Sequence, residues 1–218
     1  MPKSRKSDGI CQEFSAAKRA CTLRITRDVT SDDLEGIIQL RNECFYPKSS
    51  DPRYASGGVH GLRDAVWVMR QHNADPTSHF VLVRDDAAPA NLVAYARFSF
   101  VDADSPSYDP RIHERLPNVK SGRAVFNHVV IVGGDWRGQN VLVNGSESKI
   151  SDAVFLERNA FARAQGCSIA FCDIAVSPVP NFASRRNMER CGMVKIGNAA
   201  PLIRDGRPVR FKRFAMGI

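Results

Sequence analysis

The stretch that decides the fold is Val129-Val130-Ile131-Val132-Gly133-Gly134-Asp135-Trp136-Arg137-Gly138-Gln139-Asn140-Val141. Its four leading aliphatics close an apolar run, Arg123–Val132, that reads as the central strand of a sheet buried on both faces. The chain then turns rich in Gly, Asn and Ser as far as Lys149. A helix is expected over Ser151–Gln165, closed by Gly166. A glycine-rich turn entering a helix offers unpaired backbone N–H groups at the positive end of a dipole, a seat for a diphosphate. The next apolar strand, Ser168–Val176, carries a lone acid, Asp173. A second informative stretch follows: Asn181-Phe182-Ala183-Ser184-Arg185-Arg186-Asn187-Met188-Glu189-Arg190-Cys191-Gly192-Met193. Asn181 suits the cap of a short helix, Ala183–Cys191, and Gly192 its end.

Outward from this centre the pattern stays mixed. Thr22–Arg27 alternates as a strand. Thr30 starts a helix, with Asp33 at the capping-box position and Pro47 as the stop. A second helix is expected over Leu62–Gln71. His79–Arg84 and Leu92–Val101 form a hairpin. Tyr46–His60 is irregular, and Asp102–Gly122 reads as a long polar loop of the kind that walls a binding site. Met193–Ile196 is a strand, and Leu202–Arg204 with Val209–Phe214 suggests a final hairpin around Asp205-Gly206. Residues 1–20 read as a basic, flexible tail, and 21–218 as one domain. The class is α/β with segregated α+β character: a mixed, mostly antiparallel sheet of about seven strands flanked by about four helices.

The chain has 218 residues, 43% hydrophobic and 25% charged, with net charge +8. Those values suit a soluble globular domain, and the charge reads either as a solvated basic surface or as a bias toward anionic partners. No apolar run approaches the roughly 20 residues of a membrane span. The basic start Met1–Lys6 leads into Ser7, Asp8 and Gly9 rather than an apolar stretch, so a cytoplasmic protein is expected. The six cysteines include no CxxC pair, and the histidines form no HxH or HExxH pair. Reduced thiols and no metal are therefore expected. No nucleic-acid-binding or membrane motif appears.

Together the two quoted stretches resemble the signature motifs of the GNAT superfamily of N-acetyltransferases. The first is similar to a strand followed by Arg/Gln-x-x-Gly-x-Gly/Ala, with Asp135-Trp136-Arg137-Gly138 carrying the likeness. The second is similar to Asn-x-x-Ser-x-Arg-x-x-Glu-x-x-Gly-Phe, matched at Asn181, Ser184, Arg186, Glu189 and Gly192, with Met193 in place of Phe. The resemblance implies the GNAT fold, with two central strands splayed around the pantetheine of acetyl-CoA or another acyl-CoA. Main-chain groups near Val130–Val132 would pair with that pantetheine. A free N–H there would also polarise the thioester, and Asn181 would bond the cofactor from the other side.

Two registers of the phosphate loop are open, beside a third reading in which Gly138–Lys149 is only a surface insertion. In the first, Arg137, Gly138 and Asn140 grip the diphosphate, but the second small position is then the bulky Leu142. The span from Arg137 to Gly166 also exceeds the motif's usual length by several residues. In the second, the loop is Ser146–Ser151, with Ser148, Lys149 and Ser151 as its donors.

The acceptor, a small-molecule or peptide amine, must shed a proton before attack. His128, two residues before the thioester position, is one candidate base, and its alternative is a satisfied sheet histidine. Asp173 is another, and its alternative is an ion pair. The tyrosine that many family members use as general acid has no counterpart, since Asn187 and Met188 stand near its place; either Ser184, Cys191 or water serves instead, or the thiolate leaves unaided. Two rival readings follow. An N-acyl amino acid or acyl-homoserine-lactone synthase would take its acyl group from acyl carrier protein, and Arg97 fits that layout. A GNAT-like module could bind acyl-CoA or a protein and catalyse nothing. A homodimer through the C-terminal strands is also compatible with the pattern.

Overall fold

The computed structural model describes residues 18–45, 65–105, 108–120, 122–177, 180–204 and 207–218. Most of the expected tail, the irregular Tyr46–His60 segment and the Asp205-Gly206 turn lie outside these residues. The elements are β1 (Ala20–Thr26), α1 (Ser31–Phe45), α2 (Ala65–Asn73), β2 (His79–Asp85), β3 (Ala88–Val101), α3 (Arg111–Arg115) and β4 (Arg123–Val132). A 3-10 turn (Gly134–Trp136) then precedes β5 (Asn140–Val143), β6 (Ser146–Lys149), α4 (Ile150–Ala164), β7 (Cys167–Ser177), α5 (Phe182–Arg190), β8 (Val194–Arg204) and β9 (Arg207–Gly217).

All nine strands join one sheet in the order β6-β5-β1-β2-β3-β4-β7-β9-β8. Most pairs are antiparallel; β1–β5 and β4–β7 are parallel. The alternation along each strand splits the core by face. On one face Ile150, Val154 and Phe155 of α4 and Met188 of α5 pack on Val81, Phe98, Val125 and Ala170. On the other, Ile37 and Leu40 of α1 and Val68 of α2 pack on Phe80, Leu82, Tyr95 and Ile131. Ile112 of α3 extends this second face over Ala124, Ile169 and Phe171.

The start of α1 bears out the capping box: Thr30 N donates to Asp33 Oδ2 at 3.0 Å, and Asp33 N to Thr30 Oγ1 at 3.1 Å. The buried Asp33 carboxylate also accepts from Arg84 at 2.6 Å and Arg24 at 2.7 Å. It thereby pins α1 to both β1 and β2.

The strand count is nine rather than about seven. The Gly133–Lys149 segment, expected to be a loop, folds into the β5–β6 hairpin. Its Asn144-Gly145 tip has φ of 48° and 80°, the geometry of a two-residue hairpin turn. Val141 and Val143 are buried, and the hairpin extends the sheet beside β1. The Asp102–Gly122 segment likewise contains a short helix, α3, held by buried Ile112. No helix among the described residues is long and apolar enough to cross a membrane.

Candidate functional site

The site begins where two strands part. β4 and β7 pair in parallel from Arg123↔Cys167 to Asn127↔Cys172 and no further. Both continue: β4 stays on β3 through Val132↔Ala94, and β7 stays on β9 through Ser177↔Arg210. Between His128–Val132 and Asp173–Ser177 the sheet is open. Gly133 N donates to Val93 O on β3 at 2.8 Å, so strand alternation turns the N–H groups of Val130 and Val132 away from β3, toward the opening. The carbonyl of Val132 is taken by Arg137 Nε at 2.8 Å.

α4 starts directly after the β5–β6 hairpin, and no side chain caps its N-terminus. The β5–β6 hairpin explains why two loop registers were legible. Asn140 and Lys149 are direct partners across the hairpin, at its base. The hairpin leaves after Gln139 and returns at Lys149, which brings Asn140 and Lys149 together two residues before Ser151. Leu142 is carried away to the sheet edge beside Ala20. Ser148, expected in a loop, is instead strand residue opposite Val141, and its hydroxyl donates to Lys149 O at 3.1 Å. Arg137 faces α1, with its guanidinium on Cys44 Sγ at 2.6 Å, while Gly138, at φ 72°, forms the turn before β5. Ser151 hydrogen-bonds Asp152 at 3.2 Å, and Asp152 pairs with Arg190 of α5 at 2.9 Å.

Asn181 caps α5, its Oδ1 accepting from Ser184 N at 3.0 Å, while its own N–H bonds Ala175 O at 3.0 Å. Its amide oxygen is thus spent locally, at the far rim of the fork.

His128 is the extra residue of a β-bulge: Arg97 pairs with Val129 and Phe98 with Asn127, leaving His128 between them. Its ring lies edge-on to Phe126 at 4.7 Å, on the face opposite α4. Nε2 is 2.8 Å from Ser99 Oγ, and the Ser99 hydroxyl is also among the groups that hold the neighbouring Asp75 carboxyl below its usual pKa. An ionised carboxylate only accepts, so Ser99 donates to Asp75 and receives the Nε2 proton, which leaves the lone pair on Nδ1. Burial first, and then the Arg97 cation, push the His128 pKa down to about 3, against a weaker opposite pull from Asp75. The imidazole is neutral at physiological pH.

Asp173 is held in two-pronged fashion by Arg213, at 2.7 Å and 2.8 Å. Arg213 also reaches Asp109 at 3.3 Å, which Arg111 grips at 2.7 Å. This is the ion-pair arrangement that a lone strand acid calls for. Met188 is buried and Asn187 accepts from Arg190, so neither offers an acidic proton to the fork.

Four contributors went unread in the sequence: Ser99, Asp75, Asn127 and Arg158. Asn127 ends the β4–β7 pairing, and neither its Oδ1 nor its Nδ2 has a partner, although both are buried. Arg158 is 1% exposed and has no ion pair among the described residues. It falls on the apolar stripe of α4, eight residues after Ile150 and four after Val154, a place where a charge was visible as an anomaly. No group of three His, Cys, Asp or Glu side chains among the described residues is placed to hold a metal ion.

Solved structures share this architecture. Arabidopsis thaliana NAA60 in complex with a bisubstrate analogue matches with TM-score 0.60 at 13% identity, over 89% of this chain and 97% of that one. The same protein in complex with acetyl-CoA matches with TM-score 0.58 at 13% identity, over 91% and 98%. A Desulfovibrio desulfuricans protein assigned to the GNAT family as a candidate acetyltransferase matches with TM-score 0.53 at 16% identity, over 89% and 98%. No protein-family model and no curated protein matches the sequence.

Proposed function

We propose that this chain, which has the fold of the GNAT acetyltransferases, moves an acyl group from acyl-CoA to a primary amine. The observation that carries the reading is the fork: two central strands part after Asn127 and Cys172 and leave β4 amides facing the gap. The pantetheine of CoA would take the place of the missing strand partner. Its diphosphate would lie on the uncapped amides of α4, beside Asn140, Lys149 and Ser151. The NAA60 and acetyl-CoA complex supports CoA as the donor.

The chemistry follows from the two faces. The unprotonated amine approaches from the His128 face and attacks the thioester carbon. A C–N bond forms, and the carbonyl oxygen becomes an oxyanion held by the Val130 N–H. The adduct nitrogen passes its proton to Nδ1 of His128, and the imidazolium is steadied through Ser99 by Asp75. Collapse breaks the C–S bond and releases the CoA thiolate, which needs no strong acid because a thiol has a pKa near 8.5. Asp173, engaged by Arg213, shapes the same face rather than accepting a proton.

The test is a thermal shift with CoA and acetyl-CoA. At ligand about a hundredfold above Kd, binding to the folded form adds about 2.7 kcal/mol and raises Tm accordingly. An unchanged Tm with both ligands at millimolar concentration sinks the proposal. Acetylation of a panel of primary amines, lost in His128→Ala, separates an enzyme from a binding module.

A further inference from the structure

Arg158 is the largest of the fully buried side chains, and no acidic side chain among the described residues pairs with it. Its one hydrogen bond among the described residues is a long contact, 3.4 Å from Nη2 to Asn159 Oδ1. Its Nε has no partner, and its guanidinium lies 4.9 Å from the Phe155 ring. The thiols of Cys172 and Cys191 are its nearest electrostatic partners, and burial keeps both protonated by raising their pKa. A guanidinium stays charged in a protein. Burying one without a counter-charge costs several kcal/mol, more than an aromatic face returns. An apolar side chain at this core position would be the cheaper solution.

Asn127 is the second and independent observation. Strand alternation places it on the α4 face with Val125, and it is the register partner of Cys172. Its amide is also buried without a partner on either atom, a costly arrangement that native cores avoid. Cys172 links the two: it interacts electrostatically with Arg158 and is the partner of Asn127 in the last β4–β7 pair, at the closed end of the fork. That end lies three residues, roughly 10 Å of strand, below the Val130 N–H proposed to hold the thioester. An acetyl group is too short to reach it.

We propose that the preferred donor is a CoA thioester of a short dicarboxylic acid, a succinyl- or glutaryl-type group, whose terminal carboxylate meets Arg158 and Asn127. The carboxylate supplies the missing counter-charge, and its oxygens accept from Arg158 and from Asn127 Nδ2. The inference rests on the acyl-CoA reading above and names the acyl group for that site. The bonds formed and broken are unchanged.

The experiment compares CoA, butyryl-CoA and succinyl-CoA by calorimetry on the full chain. Wild type is expected to bind succinyl-CoA at least tenfold more tightly than butyryl-CoA. In Arg158→Met, which keeps the side-chain volume without the charge, that ratio should fall to about one. Equal or tighter binding of butyryl-CoA by wild type overturns the inference, as does a ratio that survives in Arg158→Met. Should Arg158→Met fail to fold, the wild-type ratio and Asn127→Leu, expected to narrow it, decide the matter. If CoA itself does not bind, the acyltransferase reading fails first; if CoA binds and the acyl forms do not differ, only the dicarboxylate inference falls.

Discussion

Acid should destabilise this protein through His128 in a measurable window. The side chain titrates near 6.5 in an unfolded chain and is pushed down to about 3 in the folded one, by burial and then by Arg97. Between those values the unfolded state binds a proton that the folded state refuses, so stability falls as pH falls. The contribution is complete above pH 6.5 and is lost progressively toward pH 3. From pH 7.5 to pH 4.0 the unfolded state titrates across 2.5 pH units, which at 1.36 kcal/mol each is roughly 3.4 kcal/mol. His72 and His79 shift in the same direction, each chiefly by burial, so the quantity to read is a difference. Urea unfolding of wild type and His128→Asn at the two pH values isolates it. Wild type should lose about 3 kcal/mol more than the variant on acidification. Asp33, Asp75 and Asp109, all held below their ordinary 3.8, interfere little, because their contribution is lost mainly as pH falls below that value, under the pH 4.0 end point. Equal losses in the two proteins would refute the claim that His128 is kept neutral by its surroundings, and with it the assignment of Nδ1 as the waiting base.

The same neutrality predicts a pH–rate profile in which kcat/KM rises with the pKa of the acceptor amine and shows no histidine limb between pH 5 and 8. Such a limb, absent from a His128 variant, would contradict it. Ser99→Ala removes the link between His128 and Asp75 and should lower kcat about tenfold or more with little change in KM for acyl-CoA; steady-state kinetics decides it. Lys149→Ala should weaken CoA binding several-fold by calorimetry through loss of one phosphate contact, whereas Leu142→Ala, away on the hairpin, should change it less than twofold. Asp33→Ala strips two arginines of their buried carboxylate and should cost about 3 kcal/mol in urea unfolding. Asp33 is held at about 2 against burial by hydrogen bonds from Thr30, Arg84 and Arg24, so its contribution is present above pH 3.8 and lost as pH falls toward 2.

Much of the molecule follows from local pattern. The run Val129–Val132, the Thr30 and Asp33 cap, and Gly166 and Gly192 beyond helix ends each act within a few residues, so sequence spacing shows them. The β5–β6 hairpin was legible too, since Asn144-Gly145 between buried Val143 and solvent-facing Ser146 is a hairpin turn; composition rich in Gly, Asn and Ser masked it as a loop. The resemblance to a known motif left two registers open, because the hairpin separates Asn140 from Lys149 in sequence while pairing them in space. What spacing could not show is contact across the sheet. His128, Ser99 and Asp75 meet only because a bulge in β4 shifts its register on β3. Whether Asp173 is a base or half of an ion pair stayed open in the sequence because its partner, Arg213, lies 40 residues away on β9. Arg158 and Asn127 become conspicuous only once burial and unmade hydrogen bonds are known.

The central physical claim is that CoA completes the sheet where β4 and β7 diverge and sets its diphosphate on α4. Amide hydrogen exchange, read by mass spectrometry with and without CoA, addresses this residue by residue. The expected result is slowed exchange confined to peptides covering His128–Gly133 and Lys149–Ala153. Unchanged exchange in both segments under saturating CoA, or slowing elsewhere with those two unaffected, would contradict the account.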